Sequence, residues 1–182
     1  MAAATKEFAE HGIAGARVDR IAAAATTSKA QIYSYVGNKE ALFDAAFTAH
    51  VMANVGAVPF TVDDLPGYAV RLYDAYLADP ALVRLITWAR LERTPTGSLF
   101  GELAHHDDAN LQVLAQTRAT GLLVDDLEPE DLWALLISLA GTWAQASIVH
   151  AASSAEPAEV HERRRKALAA ATSRAFCATA DQ

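Results

Sequence analysis

Between Thr26 and Phe43 the sequence reads TTSKAQIYSYVGNKEALF, and within it Lys29, Gln31, Tyr33, Tyr35 and Lys39 bring together two cations, an amide and two phenols. These groups suit recognition rather than bond-making. A primary amide offers a paired donor and acceptor to the edge of adenine, and a lysine reaches guanine acceptors or a phosphate. A phenolic hydroxyl donates to phosphate oxygens. A helix meant only for packing shows an apolar stripe and a featureless polar face. Here the stripe is narrow, Ile32 and Val36 four residues apart, and the polar face is loaded.

Other chemistry finds little support along the chain. There is no GxSxG, no glycine-rich phosphate loop and no CxxC, so an enzyme is not expected. AHHDDAN, from Ala104 to Asn110, looks metal-like, but adjacent histidines on a helix point about 100° apart and no HExxH spacing accompanies them. A solvated helix start capped by Asp107 or Asp108 is expected there, with no metal and no cofactor. The single cysteine, Cys177, reads as a small apolar filler of the last helix.

The elements that hold the loaded face follow from short-range signals. AAATKEFAEHG ends at Gly12, a C′ glycine, and VDRIAAAA places Val18, Ile21, Ala22 and Ala25 on one side of a second short helix. Ser28 stands as the N-cap of the third helix, Gly37 ends it, and Asn38 caps a fourth whose buried stripe continues through Leu42, Ala45 and Ala46. Three short helices joined by tight turns, the third polar, make a helix-turn-helix. Such a helix fits the major groove and presents its side chains to base edges.

Charge is distributed to match. The chain of 182 residues carries a formal charge of −7, yet residues 1–50 hold five basic and five acidic side chains. The excess negative charge therefore lies entirely beyond residue 50, which permits the first segment to face a polyanion. No run approaches the ~18 apolar residues of a membrane span and no signal peptide is evident, so a cytoplasmic protein without membrane contact is expected. Hydrophobic residues make up 52%, enough to suggest an oligomer interface or an internal cavity.

FAEHGIAGARVDRIAAAATTSKAQIYSYVGNKEALF resembles the DNA-binding domain of the TetR family of transcriptional regulators. The resemblance covers about the first fifty residues and implies an all-α homodimer. In that arrangement an N-terminal helix-turn-helix domain, 1–47, reads a palindromic operator in double-stranded DNA. A larger helical domain, 48–182, binds a small effector and dimerises, and the effector releases the repressor from DNA. The positions matching the family's DNA contacts are Arg17, Ser28, Lys29, Gln31, Tyr33, Tyr35 and Lys39. Two departures stand out. The turn usually reads Ala-Gly-Val-Ser and here is Ala25-Thr26-Thr27-Ser28, losing a glycine suited to positive φ. Helix 1 also starts abruptly at Met1, so either the natural start lies upstream or the arm contacts are absent. The competing reading is a helical dimeric interaction or ligand-binding protein with impaired DNA binding.

Beyond residue 50 the pattern is helix after helix, broken at prolines and glycines. A helix ends before Pro80, another runs from Pro80 to about Thr94, and a third from about Asp107 to Thr120. Two long helices close the chain, PEDLWALLISLAGTWAQASIVHAA and AEVHERRRKALAAATSRAFC. Aromatic residues of this part suit a flat apolar effector, and Met52, Tyr73, Tyr76, Trp88, Phe100, Trp133 and Trp143 are its expected contacts. Leu132, Leu136, Leu139, Trp143, Ala167 and Ala171 are expected at the dimer interface, although their periodicity equally suits an intramolecular core. The run Arg163 to Lys166 reads as a solvated face partnered by Glu159 and Glu162.

Overall fold

A computed structural model describes residues 1–97, 99 and 104–178, those of 104–106 as backbone only. The described chain is all-helical: α1 Ala2–Gly15, α2 Val18–Ala24, α3 Lys29–Val36, α4 Lys39–Ala57, α5 Leu65–Ala78, α6 Pro80–Glu92, α7 Ala104–Ala119, α8 Pro129–Ala140 and α9 Ala158–Phe176. It packs as two units, Met1–Ala57 with Asp79–Gly101, and Val58–Ala78 with Glu102–Gln182.

The first unit is built around a break in α1. Gly12 adopts φ +72° and ψ −178°, a conformation that interrupts the helix before a last turn to Gly15. The break exposes backbone groups, and α6 supplies their partners from residues four apart on one face. Arg84 donates to the carbonyls of Ala9 (2.6 Å) and Glu10 (3.3 Å), Trp88 Nε1–H donates to Ala9 O (3.3 Å), and Glu92 accepts from Ala14 N–H (2.7 Å). A methyl group on Gly12 would meet Glu92 Oε1 at 2.6 Å and the Trp88 ring at 3.0 Å, so space and dihedral both demand glycine. Phe8, Ile21, Phe43 and Leu85 are buried in this unit's core, with Phe8 edge-on to Phe43.

The second unit closes around Leu65, Tyr68, Leu72, Leu114, Leu132, Leu136, Leu168 and Phe176. Backbone bonds from Val124 N–H to Phe176 O and from Ala178 N–H to Leu122 O fasten the end of α9 to the connector after α7.

Several sequence expectations need correction. Leu132 and Leu136, expected at a dimer interface, are 1% and 0% exposed and form the unit's own core, where each contributes about 1.5–3 kcal/mol by burial. The helix expected to run on through His150 stops at Ala140; Gly141 caps it and turns occupy 141–157, pinned by Ala152 N–H on Trp143 O (2.8 Å). α7 starts at Ala104, so Asp107 and Asp108 lie inside the helix rather than capping it, and Asp107 accepts from Trp133 Nε1–H at 3.2 Å. Ala25 and Ala45 are exposed, outside the buried stripes assigned to them. In the basic run, Arg164 is buried and doubly bonded to Glu156, and Arg165 reaches Asp74, so only Arg163 and Lys166 fit a solvated face.

Candidate nucleic-acid interface

The candidate reading element is α3, eight residues long and with none of them buried. Its start is fixed by Ser28, whose hydroxyl accepts from Gln31 N–H at 3.1 Å, and its end by Gly37 at φ +88°. Asn38 Oδ1 then accepts from Ala41 N–H at 2.8 Å and opens α4. Ile32 and Val36 are only half-buried because they border an open groove of about 300 Å³ shared with Ile21, Ala25 and Leu42.

The outward side chains are poised rather than locked. Tyr35 is 83% exposed. Gln31 is exposed, its amide oxygen accepting from Thr27 Oγ1 at 2.7 Å. Lys29 lies 3.4 Å from Asp19, with Nζ 5.9 Å from the Tyr33 ring centre. Both members of the Lys29–Asp19 pair are half-exposed, so the contact is worth at most about 1 kcal/mol and yields readily to a phosphate. Arg17 caps α2 through its backbone while its side chain stays in solvent. Lys39 is different. Its ammonium donates to Ala14 O (3.2 Å) and Ala16 O (3.5 Å), against the negative end of α1, and so ties α1 to α4.

Glu7 is a further positioning residue that sequence reasoning missed. It is 8% exposed and accepts from Arg17 N–H and Arg20 Nε, both at 2.8 Å, which fixes the start of α2. The Arg20 guanidinium, reinforced by the Arg17 amide, holds its carboxyl below the usual carboxylate range. The signal was present: Ala4, Glu7 and Phe8 share one apolar face, where an acidic side chain calls for a buried cation.

The expected effector contacts divide between the units. Met52 and Trp88 belong to the first, where the Trp88 ring is committed to Gly12 and Ala9. Phe100 lies outside the described residues. Tyr73, Tyr76, Trp133 and Trp143 belong to the second. Trp133 packs edge-on to Phe60 and stacks with Tyr68, and Trp143 sits edge-on to Tyr73 at 5.9 Å. Burial pushes the Tyr76 phenol up to about 12 and that of Tyr68 up as well. Beside this aromatic group lie two polar pairs: half-buried Glu156 accepts two bonds from buried Arg164, and Tyr73 OH lies 2.6 Å from Nδ1 of buried His161. Of the expected dimer residues outside the core, Leu139, Trp143 and Ala171 are half-buried and Ala167 is exposed. No single described helix is long and apolar enough to cross a membrane, and the described residues contain no cluster able to hold a metal ion.

Known proteins give this arrangement its context. Residues 1–46 match the family described as bacterial regulatory proteins, tetR family, and residues 64–174 match the tetracyclin repressor-like C-terminal domain. The HTH-type transcriptional repressor SCO4008 of Streptomyces coelicolor is 38% identical over 143 residues, 78% of this chain and 74% of that protein. The crystal structure of the transcriptional regulator SCO4942, also from Streptomyces coelicolor, superposes with a TM-score of 0.78 at 39% identity, covering 96% of this chain and 94% of that one. The ketosteroid transcriptional regulator KstR2 of Mycobacterium tuberculosis shares the fold, with a TM-score of 0.64 at 16% identity over 98% of this chain and 93% of its own. A capped, outward-facing third helix on a helical scaffold, matched in both parts by the same family, makes this chain a member of the TetR family of transcriptional regulators.

Proposed function

We propose that the protein is a ligand-responsive repressor, not an enzyme, that works at DNA in the cytoplasm. It binds a palindromic operator as a homodimer and leaves it when a small apolar or aromatic effector occupies the second unit. The observation that carries this reading is α3, which is held at both ends yet buries no residue and keeps Gln31 and Tyr35 in solvent. In this reading Gln31 and Lys29 address base edges, Tyr33, Tyr35 and Arg17 address phosphates, and Ser28 holds the helix start against the backbone. Lys39 first holds α1 to α4 and contacts phosphate only by exchanging its carbonyls.

Self-association is supported by apolar side chains left in solvent on the second unit, Leu135 at 50%, Ile148 at 101% and Val149 at 95% exposed. In this reading Leu139, Trp143, Ala167 and Ala171 join them at the surface between the two copies. Release requires an effector that binds better to a state whose two α3 helices are wrongly spaced for successive major grooves.

The test is protection of the DNA upstream of the protein's own gene from nuclease. An inverted repeat with half-site centres about one helical turn apart, or a multiple of it, is the expected footprint. Binding that is equally tight to unrelated DNA would leave a helical dimer without operator recognition.

A further inference from the structure

Gln31 is held at three points. Its N–H donates to Ser28 Oγ at 3.1 Å and its carbonyl accepts from Ser34 Oγ at 2.8 Å, so the backbone beneath the side chain is tied on both sides. The side chain is exposed, yet its amide lies 2.7 Å from Thr27 Oγ1.

Thr27 suits the part of an anchor because it stands outside the helix it steadies. It precedes the Ser28 cap, in the turn, and its own N–H donates to Ala22 O at 3.0 Å, which fixes it to α2. Its side chain is half-buried and β-branched, hence stiff at χ1, and with Gln31 it lines the apolar groove that Ile21, Ile32 and Leu42 share. The hydroxyl therefore meets the Gln31 amide from the frame of α2.

That contact has a consequence for reading. A glutamine that swings in solvent loses rotamer freedom when it meets a base edge, whereas one already held by a hydroxyl has lost part of it beforehand. With one end of the amide at Thr27, its plane is also set. Valine, which the turn pattern Ala-Gly-Val-Ser carries at this position, has the shape of threonine and lacks the hydroxyl.

We propose that Thr27 is a specificity-determining positioning residue, whose hydroxyl sets the Gln31 amide in the orientation that meets a base edge; this rests on the reading of α3 as the DNA-reading helix. Thr27 acts through Gln31 and needs no contact of its own with DNA. Loss of the hydroxyl should cut discrimination at the base pair that Gln31 addresses about threefold to tenfold, the effect of ordering one long side chain.

The test measures binding to the protected upstream repeat and to duplexes carrying each other base pair at each half-site position in turn. The proteins are wild type, Thr27→Val, Thr27→Ser, Gln31→Ala and the double variant of Thr27→Val with Gln31→Ala. Thr27→Val should weaken preference about threefold to tenfold at the position that Gln31→Ala relaxes and nowhere else. Thr27→Ser should restore it, and Thr27→Val should change nothing further once Gln31 is alanine. In the wild type alone, nitrogen-15 relaxation should find the Gln31 side-chain amide more ordered than that of exposed Gln116 on α7, a reading that stands even if a variant does not fold. Preference untouched by Thr27→Val, weakening spread evenly over all duplexes, a further loss in the double variant, or equal mobility of the two amides overturns the assignment of Thr27 alone. A Gln31→Ala protein that keeps wild-type preference at every position contradicts the reading of Gln31 on α3, and this inference with it.

Discussion

Thr26 sits at φ +54°, the one described residue other than glycine with a positive φ. A β-branched side chain in that region crowds its own backbone, at about 1–2 kcal/mol. The position lies in the turn before α3, where the family pattern carries glycine. Thr26→Gly should therefore stabilise the protein by about 1 kcal/mol after the entropy of the freer unfolded chain is subtracted, read as a rise in the denaturant midpoint. An unchanged or lower midpoint would show that the turn carries no strain. Glu7 has the opposite character. Its carboxyl is depressed in the folded protein by Arg20, so its contribution is full above the unfolded value near 4.5 and is lost as pH falls through the folded value. Glu7→Gln should lower the melting temperature at neutral pH, and the difference from wild type should shrink at acid pH. A difference independent of pH would mean that Glu7 acts by packing alone.

At the scale of elements, α3 is proposed as a separable reading surface, because its buried-side residues Ile32 and Val36 are distinct from the exposed Gln31 and Tyr35. Gln31→Ala should leave helicity unchanged and relax base preference at one position of each half-site, by about 1–3 kcal/mol. Uniform weakening across all sequences would reassign Gln31 to the backbone. This element was legible in the sequence because its signals are local: Ser28, Gly37 and Asn38 act within three or four residues of themselves. The packing of α6 was not legible. It depends on Glu92 reaching Ala14 and Arg84 reaching Ala9 across more than seventy residues, and on backbone groups freed by Gly12, which no periodicity records. The end of α8 was hidden for a related reason: LISLAGTWAQ continues an apolar helical pattern, and the backbone bond between Ala152 and Trp143 belongs to a turn that only the folded chain assembles. Lys39 was read for its charge, whereas the carbonyls it meets come from a different helix.

At the scale of the whole molecule, the proposed repressor needs two copies acting together, since one half-site offers too few contacts to hold it. Ala167 is exposed on α9, so a larger charged side chain there should not disturb the fold of one subunit. Ala167→Glu should shift the sedimentation of the protein from dimer towards monomer and lose tight binding to an inverted repeat with it. A monomer that still held the repeat tightly would remove dimerisation from the mechanism. Whether α3 reads DNA is decided by equilibrium binding to the protected upstream repeat, with wild type and Tyr33→Ala titrated over a range of salt concentrations. Wild-type affinity should fall linearly with salt on logarithmic axes, with a slope set by the phosphates contacted. Tyr33→Ala should bind about tenfold or more weakly with unchanged helicity and melting, whereas equal affinity of the two proteins at every salt concentration would contradict the assignment of α3 as the recognition helix.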